Sequence, residues 1–148
     1  MIKKKLVIIS LIFFLTSCGF TPIYLKNTNT NFSIEQVNYT GDRELNNFLK
    51  INLIQYKNKN DNKIFIDVKS TYKKIILSKD STGKATNYQL EAEVIFLIKP
   101  TNKQIKISEK KIMKNMNDKF EESRYEKSVK QNFASSITYK LTSKLIIN

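Results

Sequence analysis

The chain has no histidine and no tryptophan, and only one cysteine, three glycines and two prolines among its 148 residues. Without histidine there is no imidazole to serve as a base near neutral pH or as a metal ligand, and a lone cysteine supplies neither a disulfide nor a thiolate cluster. These absences exclude most catalytic chemistry, so neither an enzyme nor a cofactor is expected. Acidic side chains are also scarce, 13 against 26 Lys plus Arg. At this length one hydrophobic core is the usual arrangement.

What is present starts at the N-terminus. Met1, Ile2, Lys3, Lys4 and Lys5 form a positive head before the apolar run 6–15, which is broken only by Ser10. That is the pattern of an export signal. The run is half the length of about 20 residues that a membrane-spanning helix needs, so removal is expected rather than a permanent span. Leu15, Thr16, Ser17 and Cys18 resemble the lipobox of bacterial lipoproteins. The resemblance implies that residues 1–17 are a signal peptide and that Cys18 is the lipidation site, its acyl chains holding the protein to a membrane. Gly19 after the cysteine, in place of Asp, resembles the signal for release to the outer membrane. Removing 1–17 takes three lysines from the 26 basic residues and nothing from the 13 acids, leaving a formal charge of +10. Lys, Ile and Asn dominate throughout, as in the products of AT-rich genomes, so part of this charge carries no selected meaning. An exported chain meets no nucleic acid, and anionic lipid head groups remain as partners for the excess cations.

Residues 18–31 read as a tether and 32–148 as a single domain. Phe20, Ile23 and Tyr24 are too apolar for an idle linker and are expected to dock on the domain or on a partner. A strand is expected over 32–39. Gly41 breaks it, and Asp42 is placed to cap a helix with Glu44 in the first turn. Leu45, Phe48, Leu49, Leu53 and Tyr56 give that helix one apolar stripe, which is core. Ile64, Ile66, Val68, Ser70 and Tyr72 then alternate with polar residues, as do Tyr88, Leu90, Ala92, Val94, Phe96 and Ile98, so two amphipathic strands are expected. Asp80, Ser81, Thr82 and Gly83 supply the turn of an antiparallel hairpin. The register expected pairs Ile64 with Ile98, Ile66 with Phe96, Val68 with Val94, Ser70 with Ala92 and Tyr72 with Leu90, with Lys69 opposite Glu93 on the other face. Past Tyr72 the alternation slips, which predicts a bulge before the tip. A lysine-rich edge strand over 104–113 follows the turn at Pro100. Ser123 and Glu126 fit a capping box, and Tyr125, Val129, Phe133, Ile137, Leu141 and Leu145 form a four-residue ladder on a long last helix.

The order β-α-β-β-β-α predicts an α+β, two-layer sandwich: two helices packed on one face of a mixed, mostly antiparallel sheet of about four strands. The other face is left open. There Phe65, Ile95 and Leu97 form an apolar end, to be covered by a partner or by the folded-over tether. Lys73, Lys74, Lys79 and Lys84 around the tip, with Lys110 and Lys111 on the neighbouring strand, are candidate ligands for a lipid phosphate; a solvated loop in a lysine-rich chain is the more economical explanation of them. Arg43 and Arg124 are the only arginines, and their planar forks suit a fixed acid or a partner. Glu91 with Glu93, and Glu121, Glu122 and Glu126, are better explained by charge pairing and capping than as catalytic carboxylates.

The mature start Cys18, Gly19, Phe20, Thr21, Pro22, Ile23, Tyr24, with this order of elements, resembles the lipopolysaccharide-assembly lipoprotein family LptE, of which one branch opens with Cys-Gly-Phe, any residue, Pro, an aliphatic residue and Tyr. The last helix, with Arg124, Tyr125, Ser128, Ala134, Leu141 and Leu145, is also similar. The resemblance implies an outer-membrane lipoprotein seated as a plug in the β-barrel LptD, helping to deliver lipopolysaccharide and insert it in the outer leaflet, with cations facing the phosphates of lipid A. The residues also allow a lipid-tethered periplasmic scaffold or binding module of another envelope-assembly complex.

Overall fold

The computed structural model describes residues 30–57 and 61–146; the leader, Cys18, Phe20, Ile23 and Tyr24 lie outside the described residues. Strand β1 (Ser33–Gly41) is followed by helix α1 (Arg43–Leu53), a 3-10 turn (Ile54–Tyr56), strands β2 (Lys63–Lys79), β3 (Ala85–Lys99) and β4 (Lys103–Lys114), and helix α2 (Lys119–Ile146). The four strands form one sheet in the order β1-β2-β3-β4, parallel between β1 and β2 and antiparallel elsewhere. Both helices lie on one face, so the expected α+β sandwich is the observed one. None of the described helices is long and apolar enough to cross a membrane.

Local chemistry sets the first crossover. Gly41 ends β1 at φ +98°, where a Cβ would overlap the Ser70 carbonyl oxygen, so only glycine lets β1 close on β2 before turning. Asp42 then caps α1, its carboxylate accepting from the Leu45 amide at 2.8 Å. Leu45, Leu49 and Leu53 are buried, and Tyr56 closes the end of the layer, its ring stacked 6.1 Å from that of Phe32. Across the sheet Ile66, Val68, Leu90, Val94 and Phe96 meet Val129, Phe133, Ile137 and Leu141 of α2 in a single core.

Two expectations are corrected. The hairpin register is displaced by two residues: Ile66 pairs with Ile98, Val68 with Phe96, Ser70 with Val94 and Tyr72 with Ala92, while Lys69 faces Ile95 and Glu93 faces Thr71. A shift of two keeps every side chain on its own face, so hydrophobic alternation is blind to it and the turn decides. Here β2 pairs without interruption to Ile76 opposite Tyr88, and the irregularity falls later, around Ser78. The turn itself is as expected, with the Asp80 carboxylate accepting from the Thr82 and Lys84 amides at 2.9 and 3.0 Å. The second correction concerns α2, which begins at Lys119 rather than at a Ser123 cap. Asp118 accepts from the Phe120 and Glu121 amides at 2.8 and 3.3 Å, one turn before the capping-box pattern.

Candidate functional site

The face of the sheet away from the helices has no layer over it among the described residues. Its middle is a set of cross-strand ion pairs: Asp67 with Lys99 at 2.6 Å, Glu93 with Lys106 at 2.8 Å and Glu91 with Lys110 at 3.2 Å. Asp67 also accepts from the Asn38 amide at 2.8 Å, and the Lys99 bond first, then that of Asn38, holds its carboxyl below the usual range. Glu91 and Glu93 are therefore each neutralised by a lysine of the neighbouring strand. At the end remote from the turn, Phe65 stays 43% exposed, with Ile95 and Leu97 half-buried beside it. These three sit in successive rows, Phe65 opposite Lys99, Leu97 opposite Asp67 and Ile95 opposite Lys69.

The candidate lysines do not form one cluster, because neighbouring strand residues point to opposite faces. Lys73 and Lys110 stand on the open face, and Lys79 and Lys84 flank the turn. Lys111 turns to the helix side and lies 5.8 Å from the Tyr125 ring. Lys74 also turns inward, its ammonium 2.6 Å from Glu122 and 3.0 Å from Glu126 and 4.6 Å from the centre of the Tyr88 ring. Burial opposes the charge on Lys74, but the bonds to Glu122 and Glu126 outweigh it and raise its pKa. Glu122, buried apart from a few per cent of its surface, is held at about 2 by Lys74 first and by Lys119 at 3.0 Å second.

Lys130 repeats this arrangement one turn along, 2.8 Å from Glu44 and 4.2 Å from the Tyr72 ring, whose hydroxyl pKa is raised by burial and then by Glu126. The result is a polar cleft of about 340 Å³ between the starts of both helices and the hairpin stem, with Ser123 and Lys127 on its rim. Each of its three glutamates pairs with a lysine, so its first effect is to hold the stem of the hairpin to the helix layer. Arg124 meets Glu121 at 3.3 Å and lies over the Phe120 ring at 5.7 Å, so an acid of its own helix engages it. Arg43, at the first position of α1, is exposed.

One feature escaped the sequence pattern. Ile75, Ile76 and Leu77 of β2 and Ile112 of β4 are 40%, 50%, 47% and 65% exposed. The slip in alternation past Tyr72 marks this region: the expected irregularity before the tip falls between Ile76 and Lys79, and the strand there leaves the cover of the helices and exposes both faces.

No protein-family model matches the sequence, and no curated protein does. Solved structures share the fold. The rare lipoprotein B of Shewanella oneidensis superposes with a TM-score of 0.54 at 17% identity, over 74% of this chain and 96% of the other. A minor lipoprotein of Acinetobacter baumannii gives 0.51 at 19% identity, over 74% and 94%. A lipoprotein B of Nitrosomonas europaea gives 0.55 at 12% identity, over 79% and 86%. At these identities the likeness is one of fold, and the fold is one found in bacterial lipoproteins.

Proposed function

We propose that this chain is an outer-membrane lipoprotein, anchored through Cys18, that acts as plug and assembly partner of the β-barrel LptD and helps deliver lipopolysaccharide and insert it in the outer leaflet. The observation that carries the reading is the sheet face that none of the described residues covers, apolar at Phe65, Ile95 and Leu97 and knitted by ion pairs elsewhere. A face of that kind is stiff and presents apolar area that a partner can cover. Two further points support it: the run from Cys18 to Tyr24 has the form of the LptE opening, and the fold is shared with lipoproteins. In this reading the work is binding rather than catalysis. Lys73, Lys79 and Lys84 are the cations left for lipid phosphates, since Lys74 is spent on Glu122 and Glu126. Arg43 remains available to the partner.

The test is an affinity pull-down of the tagged, lipidated protein from mild-detergent outer membranes, comparing the natural sequence with Ile95→Glu/Leu97→Glu. A barrel of several hundred residues in equal amount is expected with the natural sequence and a loss of at least tenfold with the variant, whose unfolding temperature stays close to the original. Recovery of no barrel after a high-salt wash leaves a tethered periplasmic scaffold and refutes the plug reading.

A further inference from the structure

Behind the hairpin turn the exposed Ile75, Ile76, Leu77 and Ile112 form an apolar collar. Ile75 and Ile112 stand in one row on either side of Gln89, and Ile76 pairs with Tyr88 on the opposite face. The collar therefore wraps the hairpin, whereas the patch at Phe65 lies on one side of the sheet. Charge brackets it. Lys73 and Lys110 stand on the side of the body, and Lys79, Lys84 and Lys114 stand towards the tip. Lys110 is already paired with Glu91. Among the described residues, however, Lys73, Lys79 and Lys114 make no salt bridge and are open to a partner's acids, an assignment that takes Lys73 and Lys79 from the lipid phosphates and leaves Lys84 to them.

The dimensions and the polar tip choose between occupants. Three residues of strand make an apolar band about 10 Å high, against a hydrocarbon core of about 30 Å. A bilayer that received the collar tip-first would also have to take in Lys79, Asp80 and Lys84, which hydrocarbon rejects. A second copy would set the same cations against each other. What fits is a protein surface.

We propose that the hairpin is gripped at this collar by a protein partner whose groove or constriction offers an apolar band about 10 Å high between two rims of carboxylates, with the turn 79–84 emerging into water beyond it. This goes beyond the assignment of the open face, and it holds whichever protein that partner is.

The chain lacks tryptophan, so Ile76→Trp places a single indole at the collar. With the lipidated protein and vesicles of phosphatidylethanolamine and phosphatidylglycerol, no blue shift of its emission is expected; a shift overturns the proposal in favour of lipid. In cells, a benzophenone amino acid in place of Ile76 is expected to cross-link to one protein at least tenfold more than the same group in place of Ser81. Mass spectrometry of the adduct should map to apolar residues bordered by Asp or Glu, and Lys73→Glu/Lys79→Glu should lower the yield about tenfold without lowering the unfolding temperature. Adducts with lipid or with a second copy, equal yields at positions 76 and 81, or a yield indifferent to the charge reversal each overturn it. An adduct with a protein that is not a barrel sustains the collar and leaves the plug reading to its own pull-down, so the two fail separately.

Discussion

Glu122 offers the sharpest test of how the hairpin stem is held. Its side chain is 8% exposed and accepts from Lys74 at 2.6 Å and Lys119 at 3.0 Å, which carries its pKa from 4.5 to about 2. A carboxyl depressed on folding adds stability that is complete above its unfolded pKa and is lost as pH falls through the folded one. The full difference corresponds to about 3 kcal/mol at neutral pH. Lys119 is 73% exposed and its pairing is screened by solvent, so Glu122→Gln should cost about 2 kcal/mol at pH 7, or about 8 °C in unfolding temperature for a domain of this size. At pH 3 the unfolded carboxyl is already protonated and less than half of the cost should remain; near pH 2 it should vanish. The assay is urea unfolding of the acyl-free mature chain, Cys18→Ser, at pH 7, 3 and 2, with the natural residue and with Gln at position 122. A cost below about 0.5 kcal/mol at pH 7, the level of an ordinary surface substitution, or one of equal size at pH 7 and pH 3, would show that the cluster does not hold the stem as argued.

Three other perturbations test local claims. Gly41→Ala should destabilise by about 3 kcal/mol or more, since it combines an unfavourable φ with overlap at the Ser70 carbonyl; thermal unfolding measures it. Asp118→Ala should cost about 1 kcal/mol and Ser123→Ala less than about 0.5, because Asp118 and not Ser123 caps α2; the reverse order in urea unfolding would restore the capping box. Phe96→Ala, at a fully buried position between the sheet and the helices, should cost about 3–5 kcal/mol, read as a fall of about 12–20 °C in the unfolding temperature followed by circular dichroism.

How far the fold was legible can be judged from particular residues. Asp42 announced itself as a cap because a carboxylate one residue past a strand-ending glycine has a single local use, and the Leu45 amide takes it up. The ladder from Val129 to Leu141 was legible because a helix repeats its buried face every three to four residues whatever it packs on. Ser123 misled because the residues from Asp118 to Glu121 fit the same capping pattern, and only packing of the extra turn, with Glu122 against Lys74, selects the earlier start. Lys74 misled in another way. Its neighbours on both sides in sequence are hydrophilic or exposed, and nothing local tells a lysine on the open face from one carried inward to meet two glutamates of a helix nearly fifty residues away.

Alternation and helical periodicity are local, and through them the sequence alone determined the element order, the two-layer architecture, the buried face of the two hairpin strands and the polar composition of the turn. The tertiary structure decided what alternation cannot carry. It chose among registers that differ by two residues, because all of them bury the same side chains and only the geometry of the turn separates them. It matched Glu91, Glu93 and Glu122 to their lysines, because ion pairs across strands and layers depend on which residues the register brings abreast. It also exposed Ile75, Ile76, Leu77 and Ile112, because the helix layer stops short of the hairpin, and how far one layer reaches over another is a property of the assembled body.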